Sequence, residues 1–199
     1  MRKISGLLLG LVLLGTTAFA ADEFKIDPVH SRVGFAVSHM VVNTVHGRFN
    51  DFSGSILLDD KDISKSSVNV TIKTASINTD NSQRDNHLRS DAFLDAANFP
   101  EITFKSKSVE KKGSDYAAHG TLTIRGVSKD VDLVFQLKGP INVGKNLLGA
   151  EASLTINRQD FGVSWNKALD KGQVVVGNDV KIEINVEAQE VKAPAPAGK

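Results

Sequence analysis

Apolar and polar residues alternate one by one along most of the chain. Residues 181–187 read Lys-Ile-Glu-Ile-Asn-Val-Glu, and residues 68–73 and 131–138 follow the same rule. Successive side chains of a β-strand point to opposite faces, so this alternation is typical of antiparallel strands with one buried face. Similar patterns, bounded by turn residues, predict further strands at residues 24–27, 32–39, 45–58, 102–111, 116–124 and 147–157.

One segment lacks this alternation and is rich in helix-forming residues. Within residues 81–98, Ser82 and Asp85 have the spacing of an N-terminal capping box, with Asp in place of the usual Glu. Pro100 disfavours helical backbone at the residue before it, so a helix here must end before Phe99. The segment predicts a short or broken helix packed on a sheet edge or on a barrel end. Its apolar residues are Leu88, Ala92, Phe93 and Ala96.

A single domain with this many strands must protect the edges of its sheet. Closure into a barrel removes the edges, and a barrel of about eight strands is wide enough to hold one small ligand. A sandwich of two sheets is the competing fold. The alternation alone is compatible with both.

The first twenty residues predict an export signal. Arg2 and Lys3 precede a short apolar run at residues 7–14, and Ala18-Phe19-Ala20 places small residues at a cleavage site. The run is too short for a membrane anchor, which needs about 20 apolar residues. We expect cleavage after Ala20, a folded domain over residues 21–191, and a disordered Ala/Pro-rich tail at residues 192–199.

Composition narrows the range of partners. Without Arg2 and Lys3, the chain carries 22 basic and 23 acidic residues. This balance gives no electrostatic reason to expect nucleic acid or an anionic membrane surface as a partner. The chain has no cysteine, which excludes disulfides, thiolate metal sites and a thiol nucleophile.

The sequence carries no recognisable motif for catalysis or metal binding. GxSxG, GxGxxG, P-loop and HExxH motifs are all missing. Residues 59–71 lack the glycine of a calcium loop and have Thr71 in place of its bidentate Glu. No two histidines have the two-residue spacing of metal ligands on one strand; they are His30, His39, His46, His87 and His119. We therefore predict no catalytic residue, no cofactor and no metal site.

Four stretches of the chain resemble one known family in sequence and in order. They are FKIDPVHSRVGFAVSHMVVNTVHGRFNDFSGSILLDD at residues 24–60, RDNHLRSDAFLDAANFPEITFKS at 84–106, HGTLTIRGVSKDVDLVF at 119–135 and LTINRQDFGVSW at 154–165. They are similar to the YceI family. The resemblance implies a mainly β, lipocalin-like fold: an extended antiparallel eight-stranded barrel with a helical segment between strands. It also implies a tunnel that binds a polyisoprenoid or a similar long-chain lipid in the periplasm.

The tunnel that the resemblance implies would be lined by apolar strand faces and bulky side chains. The strand at residues 32–39 has Val33, Phe35 and Val37 on one face, and His39 continues that face toward a polar end. The residues predicted to contact the lipid are Val33, Phe35, Val37, His39, Phe49, Phe52, Leu88, Phe93, Phe104, Phe135, Arg158 and Trp165. For each aromatic residue, the alternative is that it fills a closed core.

Arg158 has two interpretations. It either pairs with a buried carboxylate such as that of Asp160, or contacts the head group of the ligand. The predicted function is lipid binding for transport, storage or sequestration. The rival is an enzyme or metal-dependent protein that acts on an apolar substrate in the same cavity. The sequence leaves the oligomeric state open, a homodimer included.

The export signal leads to the first testable prediction. Protein recovered from the periplasm should begin at Ala21, because the small residues at positions 18 and 20 direct cleavage there. Mass spectrometry of the intact protein measures this directly. Soluble periplasmic protein that still begins at Met1 would contradict the prediction.

Overall fold

The computed structural model describes residues 21–168 and 174–191. The predicted signal peptide and the predicted tail lie outside the described residues. The described helix is too short and too polar to cross a membrane.

The described residues form eleven strands, one α-helix and three short 3-10 turns. The strands are β1 (Asp22–Ile26), β2 (Arg32–His39), β3 (Asn43–Phe49), β4 (Phe52–Leu58), β5 (Ser67–Lys73), β6 (Ile77–Asn78), β7 (Glu101–Lys112), β8 (Asp115–Ile124), β9 (Val127–Asn142), β10 (Asn146–Asn157) and β11 (Val176–Glu190). The helix α1 spans Ser82–Arg89, and the 3-10 turns span Ile63–Lys65, Thr74–Ser76 and Arg158–Phe161.

Eight strands close into an antiparallel barrel. The order around the ring is β1-β4-β5-β7-β8-β9-β10-β11, and β11 pairs again with β1. Phe24 lies opposite Glu190, and Ile26 lies opposite Ala188, in the pairing that closes the ring. The predicted eight-stranded barrel is confirmed, and the sandwich is wrong.

Three strands extend the wall beyond this ring. β2 pairs with the first part of β11, β3 pairs with β2, and β6 pairs with the end of β3. β1 and β2 therefore follow one another along the same edge of β11. Pro28 separates them: it has no N–H to donate to a ladder, and Asp27 accepts the N–H of Val29 in a tight turn.

The strand predicted at residues 45–58 is divided in two. Asn50 and Asp51 lie between β3 and β4 and carry no strand pairing. Their main chain bonds instead to the turn after β5: the N–H of Asn50 donates to the carbonyl of Ser76, and that of Lys73 donates to the carbonyl of Asp51. The hydrophobic pattern missed this break because Phe49 and Phe52 both face the interior.

The predicted helix is present but begins differently from the capping-box prediction. Asn81 is the N-cap, and its side chain accepts the N–H of Arg84. Ser82 is the first helical residue, so the cap predicted at Ser82 is wrong. The buried carboxylate of Asp85 accepts the N–H and the hydroxyl of Thr79, which fixes the helix to the chain that enters it.

The two ends of the barrel differ. At one end, called here the closed end, the side chains of Phe24, Leu148 and Ala188 are at most 1% exposed and fill the interior. The other end carries α1, the turn at Arg125 and the 3-10 turn Arg158–Phe161, and is called here the helix end. The interior between them forms the site described below.

A charged cluster on the outer face links three neighbouring strands. On β8, His119 places Nδ1 2.6 Å from Asp132 of β9 and Nε2 3.1 Å from Glu110 of β7. Hydrogen bonds to Asp132 and then to Glu110 raise the pKa of His119 above its ordinary value. The imidazolium form therefore joins the three strands.

This raised pKa predicts a pH dependence of stability. A histidine whose pKa rises on folding adds stability below its unfolded pKa of about 6.5, and that stability is lost as the pH rises through the folded pKa. His119→Gln should therefore lower the free energy of unfolding near pH 5.5 more than near pH 9. Urea unfolding at both pH values measures the difference. An equal loss of stability at both pH values would contradict the prediction. As a separate check, Asp132→Asn should lower the pKa of His119 measured by NMR titration.

Candidate functional site

A cavity of about 200 Å³ lies inside the barrel, on the helix-end side of the filled core. The first long strand shows how its wall is made. Val33, Phe35 and Val37 of β2 point inward and meet Ile184, Ile182 and Val180 of β11 across the ladder, in that order. Strand alternation thus puts a continuous apolar surface on the inside of the wall.

Nine of the twelve residues predicted to contact a ligand line this cavity. They are Val33, Phe35, Val37, Phe49, Phe52, Leu88, Phe93, Phe104 and Arg158. The barrel brings them together from β2, β3, β4, β7, the helical segment and the turn after β10. Their contact with a lipid stays a prediction.

The other three predicted residues do not line the cavity. Phe135 stacks on Tyr116 with ring centroids 5.6 Å apart and packs against the core. Trp165 lies 5.0 Å from Phe93 and 5.1 Å from His87, at the helix end. His39 ends β2, opposite Asn43 of β3 and Val176 of β11. Bulk suggested Phe135 and Trp165, and alternation suggested His39, but neither property shows how far along the barrel a residue lies from the cavity.

Two glycines leave space for phenylalanine rings beside the wall. A Cβ at Gly47 would lie 2.3 Å from Cζ of Phe35, and a Cβ at Gly120 would lie 2.6 Å from Cζ of Phe104. Each ring therefore occupies the space above a glycine on the neighbouring strand. This arrangement leaves room inside a barrel that is rich in bulky side chains.

The cavity exposes hardly any polar atom. Among the described residues, Thr103 and Arg158 are the polar residues of its lining, and they turn mainly carbon toward it. A polar group of a ligand would find hardly any hydrogen-bond partner among these residues, and burying such a group unpaired is costly. The cavity is therefore suited to a hydrocarbon chain.

Arg158 does not pair with Asp160. The residue is 5% exposed, and its guanidinium donates to the carbonyls of Gly177 at 2.9 Å and Val163 at 2.5 Å, and more distantly to Asn178. Burial lowers its pKa below the ordinary value. These bonds join the turn after β10 to the start of β11. Contact between Arg158 and a ligand head group stays a prediction.

Sequence reasoning missed the residues that hold the helical segment over the helix end. Arg89 donates to the carbonyls of Ala75 and Ile77 at 2.7 Å each. Arg125 donates to the carbonyls of Asp91 and Gly162. These arginines satisfy carbonyls that have no strand partner, and a single sequence does not show which carbonyls those will be.

A second group of polar side chains lies outside the cavity. Asp27, His30 and Glu187 place one potential ligand atom each within 4.8 Å of one another. His30 Nδ1 is 2.9 Å from Asp27 Oδ2, and this hydrogen bond raises the pKa of His30 and lowers that of Asp27. The bond gives the group a structural explanation, and the prediction of no metal site stays a prediction. Glu187 escaped notice because it is remote from His30 in sequence.

Comparison with known proteins decides the family. A family model described as the YceI-like domain matches residues 24–188. The chain belongs to the YceI family. A UPF0312 protein of Yersinia pestis (strain Pestoides F) is 36% identical over 195 residues, which cover 96% of this chain and 98% of that protein. A UPF0312 protein of Enterobacter sp. (strain 638) is 39% identical over 167 residues, covering 82% and 87%.

Solved structures share the YceI fold. A Campylobacter jejuni YCEI protein is 35% identical, with a TM-score of 0.66 over 78% of this chain and 90% of its own. BcnA of Burkholderia cenocepacia is 22% identical, with a TM-score of 0.73 over 81% and 98%. A polyisoprenoid binding domain from Saccharophagus degradans is 16% identical, with a TM-score of 0.62 over 87% and 100%. At this identity, the last two show the shared fold.

The position of Gly47 leads to a prediction about cavity size. Gly47→Ala should push the Phe35 ring into the cavity, because the added Cβ would meet the end of that ring and no closer backbone atom. Displacing about two methylenes of a bound lipid chain would cost roughly 1.6 kcal/mol, or about a fifteenfold loss of affinity. Titration with the fluorescent fatty acid cis-parinaric acid measures this.

The matched control is Gly47→Ala combined with Phe35→Leu, which shortens the displaced side chain and should recover most of the affinity. Circular dichroism checks that both variants keep the barrel. Unchanged affinity in folded Gly47→Ala would show that the Phe35 ring does not limit the cavity.

Proposed function

We propose that this protein binds a polyisoprenoid or similar long-chain lipid by its hydrocarbon chain inside the barrel. The observation that carries the proposal is the cavity, whose wall is apolar and exposes hardly any polar atom. Membership of the YceI family supports it. So does the shared fold with a protein whose structure is that of a polyisoprenoid binding domain.

Burial of the chain supplies enough free energy without any charged contact. Each methylene removed from water contributes about 0.8 kcal/mol, so ten contribute roughly 8 kcal/mol before the costs of association and ordering. Binding of this kind depends little on salt, because no ion pair is involved. The head group gains nothing inside and stays at the surface.

The cavity volume limits how much of the chain is enclosed. At about 200 Å³, the cavity is smaller than the roughly 300–1,000 Å³ of most ligand pockets. A polyisoprenoid of several units exceeds that volume. Either the protein segments that cover the helix end move apart when the lipid binds, or the rest of the lipid chain lies outside the cavity.

Catalysis is the rival function. An enzyme needs several titratable groups within hydrogen-bond reach of its substrate. In the described part of the chain, Arg158 is the titratable residue of the cavity lining, and its bonds run to main-chain carbonyls and an amide. This arrangement favours binding over catalysis.

We infer from the predicted signal peptide that the protein binds its lipid in the periplasm, where it would carry, store or sequester that lipid. The first twenty residues support that location by their charge, apolar run and small residues. The barrel needs no second copy to close, so the proposal holds for a monomer and for a homodimer.

Chain length provides the main test of the proposed function. Affinity should rise from geraniol to farnesol to geranylgeraniol, by at most about fourfold for each added carbon that becomes buried, and level off when the cavity is full. Competition against cis-parinaric acid with delipidated, folded protein measures the series at low and high salt. The proposal fails if no isoprenoid or fatty acyl ligand shows length-dependent binding.

A charged substitution in the cavity wall provides a second test of the proposed function. Phe104→Glu places an unpaired carboxylate in the apolar cavity and should abolish retention of the lipid. Phe104→Leu keeps the wall apolar and is the matched control. Circular dichroism must show retained β-structure in both variants before a loss of lipid is counted.

A further inference from the structure

The barrel wall is incomplete between β9 and β10 at the helix end. Their ladder ends at the pair Val134–Ser153. Beyond it, β9 stays paired with β8 as far as Val127, and β10 stays paired with β11 as far as Asn157. We call the unpaired stretch, residues 127–133 of β9 and 154–157 of β10, the β9–β10 window.

The β9–β10 window leads to the cavity. Leu133 on β9 and Leu154 and Ile156 on β10 flank it, and all three side chains line the cavity. One boundary is the last ladder pair. The other is the hydrogen bond from Arg125, in the turn between β8 and β9, to the carbonyl of Gly162 after β10.

The β9–β10 window and the helical segment over the helix end are held closed by different interactions. The helical segment is held over the helix end by charge-assisted hydrogen bonds from Arg89 and Arg125 to main-chain carbonyls. Across the window itself, between its two boundaries, the flanking residues are apolar on the inside. Separating them breaks no ladder bond, whereas lifting the helical segment breaks several strong ones.

We propose that the lipid chain enters and leaves the cavity sideways, through the β9–β10 window. The proposal rests on the proposed function, since it concerns the route of the ligand. The outer faces of the two strands carry Asp132 and Thr155, which are exposed. A polar head group can therefore remain in water at this rim while the chain passes between Leu133 and Leu154.

A disulfide across the window tests the route, and the cysteine-free chain makes the experiment clean. Asp132 and Thr155 each lie two residues beyond the last ladder pair, Val134–Ser153. Asp132→Cys with Thr155→Cys is therefore the pair designed to bridge the window, and a thiol titration must show that the disulfide has formed before rates are compared. Gln136→Cys with Glu151→Cys is the matched control, because those residues face each other in the intact ladder. The reduced form of each variant corrects for the lost side chains, including the partner of His119.

Stopped-flow fluorescence of cis-parinaric acid provides the readout. Oxidising the 132–155 pair should slow association and dissociation together, by about tenfold or more, with Kd unchanged, since a route changes rates and not the equilibrium. Reduction should restore both rates, and the control pair should change neither. Rates that stay within about twofold on oxidation, or that fall equally in both pairs, would overturn the proposal.

Widening the window gives an arm that does not depend on disulfide formation. Leu133→Ala should accelerate both association and dissociation of the probe. Leu122→Ala removes the same side chain from a fully paired part of the cavity wall, and should accelerate dissociation alone. Unchanged association in Leu133→Ala would refute the route while leaving lipid binding intact. Failure of the reduced and wild-type proteins to bind the probe would instead refute the proposed function.

Discussion

The short pairing between β1 and the end of β11 determines how the rest of the barrel is arranged. It joins the first described strand to the last and so removes the two edges that the eight-stranded ring would otherwise expose. It also brings Phe24 beside Leu148 and Ala188, which fill the closed end. Because β1 uses only the last residues of β11, the first part of β11 is left for β2, and the wall continues past the closed ring.

The extended part of the wall leaves some main-chain carbonyls without a partner in a strand ladder. Arginine side chains donate hydrogen bonds to these carbonyls instead. Arg89 and Arg125 serve the helical segment, and Arg158 serves the turn after β10. The charged groups of the helix end are thus used to hold structure together, which leaves the cavity between them apolar.

The strands, the helix and most of the cavity residues could be predicted from the sequence, because each of them depends on residues that are neighbours along the chain. Alternation located the strands because it records which side of each strand is buried. Pro100 correctly limited the helix to the residues before Phe99, but the helix already ends at Arg89, which Pro100 could not indicate. The resemblance to the YceI family supplied barrel closure, which alternation could not distinguish from a sandwich. Nine of the predicted contact residues line the cavity because inward-facing positions on neighbouring strands necessarily come together.

The features that the sequence did not predict depend on strand register and on the position of each residue along the barrel. Phe135 and Trp165 share the apolar character of Phe104, but only the three-dimensional pairing shows that they lie away from the cavity. The break at Asn50-Asp51, the bonds of Arg158 and the neighbourhood of His30 and Glu187 all join residues that are separated in sequence or depend on unpaired carbonyls. No periodicity in one chain records such contacts.

The most direct measurement is native mass spectrometry of protein purified from its own periplasm, followed by organic extraction. The account predicts a mass above that of the processed chain, removed by extraction, and an extract dominated by one class of long-chain lipid. Folded protein that emerges from its own periplasm at the bare chain mass, with no lipid in the extract, would contradict it.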